Sequence, residues 1–135
     1  MSSGTLHLKV VTPTRVVVEA DVGEVSLQGA LGVLGILPGH APLLAALRIG
    51  ELSYHVAAGG TKRLAAEAGF VEVANDLVTV LVDGAQRPEE IDVDQARADR
   101  TTAEEALRTA ADEAFEKARA TLDLATTRLA VAGGR

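Results

Sequence analysis

The first half of the chain alternates. Leu6-His7-Leu8-Lys9-Val10-Val11 puts Leu6, Leu8 and Val10 on one face, the two-residue period of a half-buried strand. Further short strand-like runs follow at Arg15 to Glu19, Val22 to Gln28, Arg48 to Val56, Thr61 to Ala68, Phe70 to Ala74 and Leu77 to Val82. Thr12-Pro13-Thr14, Ala57 to Gly60 and Asn75-Asp76 separate them. Short strands at regular spacing with turn signals between predict an all-β sandwich or barrel. Asn75-Asp76, between Val73 and Leu77, predicts a two-residue hairpin.

The second half changes period. Ala103, Leu107, Ala110, Ala114, Ala118, Leu122, Ala125 and Leu129 recur every three or four residues, one face of an α-helix. Pro88 and Glu89-Glu90 precede Ile91, and Asp92 or Asp94 is placed to cap the first turn. No glycine or proline lies between Glu89 and Ala132. As one rod, residues 92–132 would reach about 60 Å. Thr109 to Asp112 resembles a capping box, which would divide the rod into a hairpin. The pattern leaves both arrangements open. The stripe is mostly alanine, so it permits close helix approach but buries little area at about 25 cal/mol per Å². The break in composition near Pro88 divides the chain into residues 1–88, a β domain, and 89–135, a helical domain.

Between the two patterns of the first half lies Gly32 to Leu44, where Gly35, Pro38, Gly39, His40 and Pro42 interrupt aliphatic residues. Pro38-Gly39 sets a tight turn. Pro42 biases Ala41 away from helix. The segment reads as a chain that bends repeatedly while staying buried on one side.

Composition narrows the function. The chain has no cysteine, so no disulfide framework and no thiolate metal site. Its formal net charge of −6 argues against nucleic acid, whose phosphates demand Lys and Arg. No apolar run approaches the ~18 residues of a membrane span, and Met1 to Thr5 carries no secretory pattern. With 2% aromatic residues and 47% hydrophobic ones, the core must be Val, Leu, Ile and Ala. His7, His40 and His55 share no metal-ligand spacing, and neither a metal nor another cofactor is expected. His7 and His55 read as solvent-facing strand residues. His40 has no nucleophile or orienting carboxylate near it in sequence, so no active site is expected. Gly59-Gly60 and Gly29 to Gly32 lack phosphate-loop patterns and read as turns. Asp92, Asp94 and Asp99 read as a solvated helix face.

Two segments carry a family resemblance: Leu37-Pro38-Gly39-His40-Ala41-Pro42-Leu43-Leu44 and Gly69-Phe70-Val71-Glu72-Val73. Together with Ile91-Asp92 opening an alanine-rich tail, they make the chain similar to the epsilon subunit of bacterial F-type ATP synthases. The resemblance implies a ten-stranded flattened β-barrel or sandwich followed by an α-helical hairpin. It implies a non-catalytic rotor subunit, peripheral on the cytoplasmic face of the bacterial inner membrane, that couples the gamma subunit to the c-ring and regulates ATP hydrolysis through its helices. On that basis His40, Ala41, Pro42 and Leu43 are expected to meet gamma, and Gly29, Ala30, Leu31 and Gly32 the c-ring. Arg119 and Arg128 are expected to meet the alpha and beta subunits when the helices extend. Relatives that bind ATP carry an Ile/Leu-Asp-x-x-Arg-Ala motif. Here Ile91 and Asp92 are kept, but Gln95 and Thr102 replace the two arginines, which removes bidentate phosphate recognition. The alternative reading is a free-standing β-sandwich binding module with a helical interaction tail.

Overall fold

A computed structural model of the protein describes residues 4–133, so Met1 to Ser3, part of the stretch read for a secretory pattern, and Gly134 and Arg135 lie outside the described part. The strands are β1 (Leu6–Val11), β2 (Val16–Val22), β3 (Glu24–Gly29), β4 (Gly32–Ile36), β5 (Leu43–Leu47), β6 (Gly50–Val56), β7 (Gly60–Ala66), β8 (Gly69–Ala74), β9 (Leu77–Val82) and β10 (Ala85–Gln86). They form one ten-stranded sheet in the order β10-β7-β6-β3-β5-β8-β9-β1-β2, with β4 paired to β3 alone. The sheet bends at Gly29, which pairs with Leu47 on one side and Gly32 on the other. This bend folds β4-β3-β6-β7-β10 over β5-β8-β9-β1-β2, and β2 comes back against β6. The result is the flattened, nearly closed barrel that the resemblance implies.

Alternation decides which side chains enter it. Leu6, Leu8 and Val10 of β1 are fully buried, and Val78 and Val80 of β9 meet them from the neighbouring strand. Val25, Leu27, Ile36, Leu52, Leu64, Val71 and Val73 fill the rest. Tyr54 is the one aromatic side chain in this core. Close packing explains Gly69: a Cβ there would lie 1.9 Å from the Leu81 carbonyl oxygen, so no other residue fits. The predicted hairpin at Asn75-Asp76 is present. Both residues have positive φ, 52° and 61°, as a type I′ turn requires.

The segment Gly32 to Leu44 differs from its sequence reading. It is not a run of bends but two strands, β4 and β5, joined by a loop at residues 37–42. Gly32 and Gly35 hid the strand pattern because neither carries a side chain to show alternation.

After Arg87 a 3₁₀ turn (Pro88–Glu90) leads into α1 (Val93–Leu107) and α2 (Asp112–Gly133). The chain therefore forms a helical hairpin rather than a rod. Asp92 caps α1, its carboxylate accepting from the Gln95 backbone N–H at 3.0 Å. Asp112 opens α2 with φ at 55°, so the reversal is made without glycine. Ala103 of α1 and Ala118 and Ala125 of α2 are buried, as the alanine stripe predicts, and Ala96 joins them, but Ala110 is only half-buried and Ala114 is exposed near the turn between the helices. Only the end of α2 reaches the barrel's core-forming strands firmly, where Val131 and Ala132 pack with Ala65 and Ile91.

Candidate functional site

The residues expected to face the two neighbours occupy different ends of the barrel. Gly29, Ala30, Leu31 and Gly32 form the β3–β4 hairpin turn, with Leu31 fully exposed at its tip. The His40 loop lies at the other end of β4, tied to the β8–β9 turn by the Gly39 N–H, which donates to Asp76 Oδ1 at 2.7 Å. Gly39 has φ of 85° there, a left-handed conformation that suits glycine. His40 Nδ1 lies 2.6 Å from the Ala41 carbonyl, so the imidazole braces its own turn. Ala41 and Pro42 are exposed, while Leu43 packs partly on the core.

The barrel has two open seams, and they are finished differently. One lies beside β2, β6 and β7. It is a cleft of about 510 Å³ lined by Glu19, Tyr54, Lys62 and Arg63, and flanked by Arg87, by Glu89 of the 3₁₀ turn and by Val131 of α2. Burial raises the Tyr54 pKa in that cleft, against the opposing pull of Arg87. Arg87 also donates to the Val17 carbonyl. The other seam lies between β4 and β5, a cleft of about 540 Å³ lined by residues 29–34 and 43–46. No charged side chain borders it, and none of the helices covers it. It joins the hairpin turn to Leu43, two sites that the sequence reading kept apart.

The exposed apolar surface extends beyond the expected residues. Leu31, Val33 and Leu44 are 104%, 65% and 72% exposed. On the outer face, Ala46 pairs with Phe70, Phe70 with Leu81, Leu81 with Val11, and Val11 with Val16. That register makes one apolar row across five strands, in which Phe70, Leu81 and Val16 are each about half exposed. Contiguous exposed apolar patches mark interaction sites. The sequence reading missed Phe70, Leu81 and Val16, whereas Val33 lies in a stretch, Val25 to Leu47, that holds 23 residues without one Asp, Glu, Lys or Arg in a chain that is 24% charged.

The helical residues are separate from this face. Arg128 Nη2 lies 4.0 Å from Glu67 Oε2 of the β7–β8 connection, so in this arrangement it faces the barrel. Its Nε and Gln86 Oε1 are buried without a hydrogen-bond partner. Arg119 pairs along α2 with Asp123 at 3.5 Å. Ile91 is buried under α2, and Asp92 is committed to its cap. Gln95 donates to Asp99 Oδ1 at 2.9 Å, and Thr102 is exposed on α1. At the root of the helices Glu90 accepts from Arg15 at 2.7 and 3.0 Å and from the Arg87 N–H at 2.8 Å. Those donors, Arg15 foremost, pull its pKa down to about 2.

His7 faces solvent from β1, as expected, but it is not alone there. Its Nε2 lies 2.9 Å from Glu19 and its Nδ1 3.0 Å from Asp21, and both carboxylates can only accept. The ring satisfies both when it is protonated, and the Asp21 and Glu19 hydrogen bonds raise its pKa. His55 is exposed, as expected. Among the described residues no group of three His, Asp or Glu side chains is placed to hold a metal ion. No described helix is long and apolar enough to cross a membrane.

Known proteins share both the sequence and the fold. Residues 5–88 match the family model for the ATP synthase delta/epsilon chain beta-sandwich domain, and residues 89–133 that for its long alpha-helix domain. The ATP synthase epsilon chain of Geotalea daltonii is 45% identical over 95% of this chain and 94% of its own length. That of Halalkalibacterium halodurans is 46% identical over 96% and 98%. The fold matches a chain in the mitochondrial ATP synthase of Euglena gracilis with a TM-score of 0.83 at 18% identity, covering 94% of this chain and 81% of that one. By sequence along nearly its whole length, this chain belongs to the ATP synthase delta/epsilon family and is a subunit of that complex.

Proposed function

We propose that this subunit is a non-catalytic adaptor of the central rotor stalk, which grips gamma with its apolar side face and meets the c-ring with its β3–β4 turn. The observation that carries this reading is the uncharged surface from the hairpin turn to β5, with Leu31, Val33 and Leu44 exposed on a rigid sheet. A torque-transmitting part needs a stiff body and a broad apolar grip, and an aliphatic-filled barrel supplies the first. Its place is then peripheral, at the cytoplasmic face of the bacterial inner membrane. The helices form the regulatory arm. In the extended state Arg119 and Arg128 are freed for the alpha and beta subunits. Nucleotide has no assigned role here, because Gln95 and Thr102 offer no guanidinium to a phosphate.

Leu43 is a poor test position because its side chain rests on the core. Pro42 and Leu44 are exposed and serve better. Pro42→Glu combined with Leu44→Glu is expected to cut co-purification of gamma at least tenfold while circular dichroism stays unchanged. Full recovery of gamma with the double variant would remove this surface from the interface and put the grip on gamma elsewhere on the barrel.

A further inference from the structure

The seam between β4 and β5 has two unpaired strand edges, and the backbone phase of each can be derived. The Ala30 N–H donates to the Ala46 carbonyl at 2.9 Å and the Arg48 N–H to the Gln28 carbonyl at 3.0 Å. Those two bonds straddle the Gly29–Leu47 pair, so residues 28 and 30 turn their backbone groups toward β5, and Gly29 turns its own toward β4. Alternation then fixes the rest. On β4, Gly32, Leu34 and Ile36 bond β3, and Val33 and Gly35 point their N–H and C=O groups away from it. On β5, Leu43, Ala45 and Leu47 bond β8, and the Leu44 groups and the Ala46 N–H point away from it.

This edge lacks every usual guard. Natural edge strands carry Lys, proline, a bulge or a covering element. β4 reads Gly-Val-Leu-Gly-Ile, regular in register, with no charge and nothing over it. The opposite seam is bordered by the 3₁₀ turn, Val131 of α2 and five charged side chains. The unguarded seam is also lined by Gly29, Ala30, Gly32, Ala45 and Ala46, whose small side chains let another backbone approach closely. Leu34 and Leu43 beneath the seam close the core only partly.

We infer that the β4–β5 seam is a strand-addition site, which takes an extended, uncharged segment of about five residues from gamma and so completes the barrel. Charge complementarity selects the occupant. Val25 to Leu47 offers no ion pair to a charged strand and would strip one of water uncompensated. An aliphatic or small-residue segment gains backbone hydrogen bonds on both sides and loses little. The inference rests on the reading that this face grips gamma, and adds how: through main-chain pairing rather than side-chain contact alone.

Gly35 supplies the test. A Cβ there meets nothing within 4 Å, and its N–H points off the edge, so proline removes one outward donor without touching the β3 ladder. In the full chain, Gly35→Pro is expected to weaken gamma binding at least tenfold with unchanged circular dichroism, while Gly35→Ala binds as wild type. Hydrogen exchange in the gamma complex gives a second readout. The Val33, Gly35 and Leu44 amides are expected to slow at least tenfold, and the Leu34 amide, already bonded to β3, is expected not to change. Equal binding by Gly35→Pro, or no odd–even difference in exchange, overturns strand addition. If Pro42→Glu/Leu44→Glu still releases gamma in that case, the adaptor reading stands without it. Protection of the same amides in the isolated chain, rising with its concentration, would assign the seam to a second copy and overturn gamma as its occupant.

Discussion

The barrel and the helical pair are made from the same aliphatic vocabulary, but they bury it to different depths. In the barrel, leucines and valines from both layers meet in one continuous cluster. Between the helices the buried side chains are alanines, and the contact with the barrel rests on Ala65, Ile91, Val131 and Ala132. Burying a whole leucine or valine side chain contributes about 1.5–3 kcal/mol, and an alanine far less. The barrel is therefore bound to itself, and the hairpin is held at a few points. The proposed roles, torque transmission by the barrel and movement by the hairpin, need this contrast.

The largest effect expected from breaking the contrast is in the barrel. Leu8 is fully buried on β1, between β2 and β9. Leu8→Ala should cost about 2–5 kcal/mol of global stability. Urea unfolding followed by far-ultraviolet circular dichroism measures it. A loss below 1 kcal/mol would mean that the sheet does not depend on this cluster.

The second effect is confined to the hairpin. Val131 is fully buried against the barrel. Val131→Asp strips a carboxylate of its hydration at a fully buried position, a cost that Lys62, Arg63 and Arg87 in the adjoining cleft offset only in part, and the helices can escape the penalty by leaving. The cost is then capped at the docking energy, about 3 kcal/mol for the few apolar side chains involved. Hydrogen exchange should show residues 112–133 losing protection while residues 6–11 and 77–82 keep theirs. Loss of protection in both would show that barrel and hairpin unfold as one unit, and the comparison would fail.

The same contrast explains what could be read from the sequence. Period-two runs such as Leu6 to Val11 and Leu77 to Val82 announced their strands, because each inward position carries a large aliphatic side chain. The alanine stripe announced helices that pack closely. β4 stayed hidden, since glycine at 32 and 35 erases alternation, and β5 did because Leu43-Leu44-Ala45-Ala46-Leu47 is apolar on both faces. Leu44 faces out, 72% exposed, and on the proposed reading gamma covers it; periodicity alone cannot separate a buried strand from one awaiting a partner. The capping-box pattern of Thr109 to Asp112 marked where the tail could bend but did not decide that it does, because the reversal uses a positive φ at an aspartate in place of a glycine or proline. The two clefts depend on how the sheet folds over at Gly29, a long-range pairing with Leu47 that no local pattern encodes.

The smallest expected effect is at the root of the hairpin, where Arg15 holds Glu90. The folded-state pKa of Glu90 is about 2, against an ordinary value of 4.5. A depressed carboxylate pKa adds stability that is complete above the unfolded value and is lost as pH falls through the folded one. The contribution should therefore be full above about pH 4.5 and gone near pH 2. Glu90 is partly solvated, its side chain 31% exposed, so the pair is worth at most about 1 kcal/mol. Glu90→Gln isolates it from the other carboxylates that titrate in the same range. The melting temperature of the variant should lie slightly below wild type at pH 6, and the two curves should converge on acidification. If the clasp anchors the hairpin rather than the barrel, the difference should also vanish in the Val131→Asp background, where the helices are already free. A difference that persists there would place Arg15 and Glu90 with the barrel's own stability and move the boundary between its rigid and movable parts beyond Glu90.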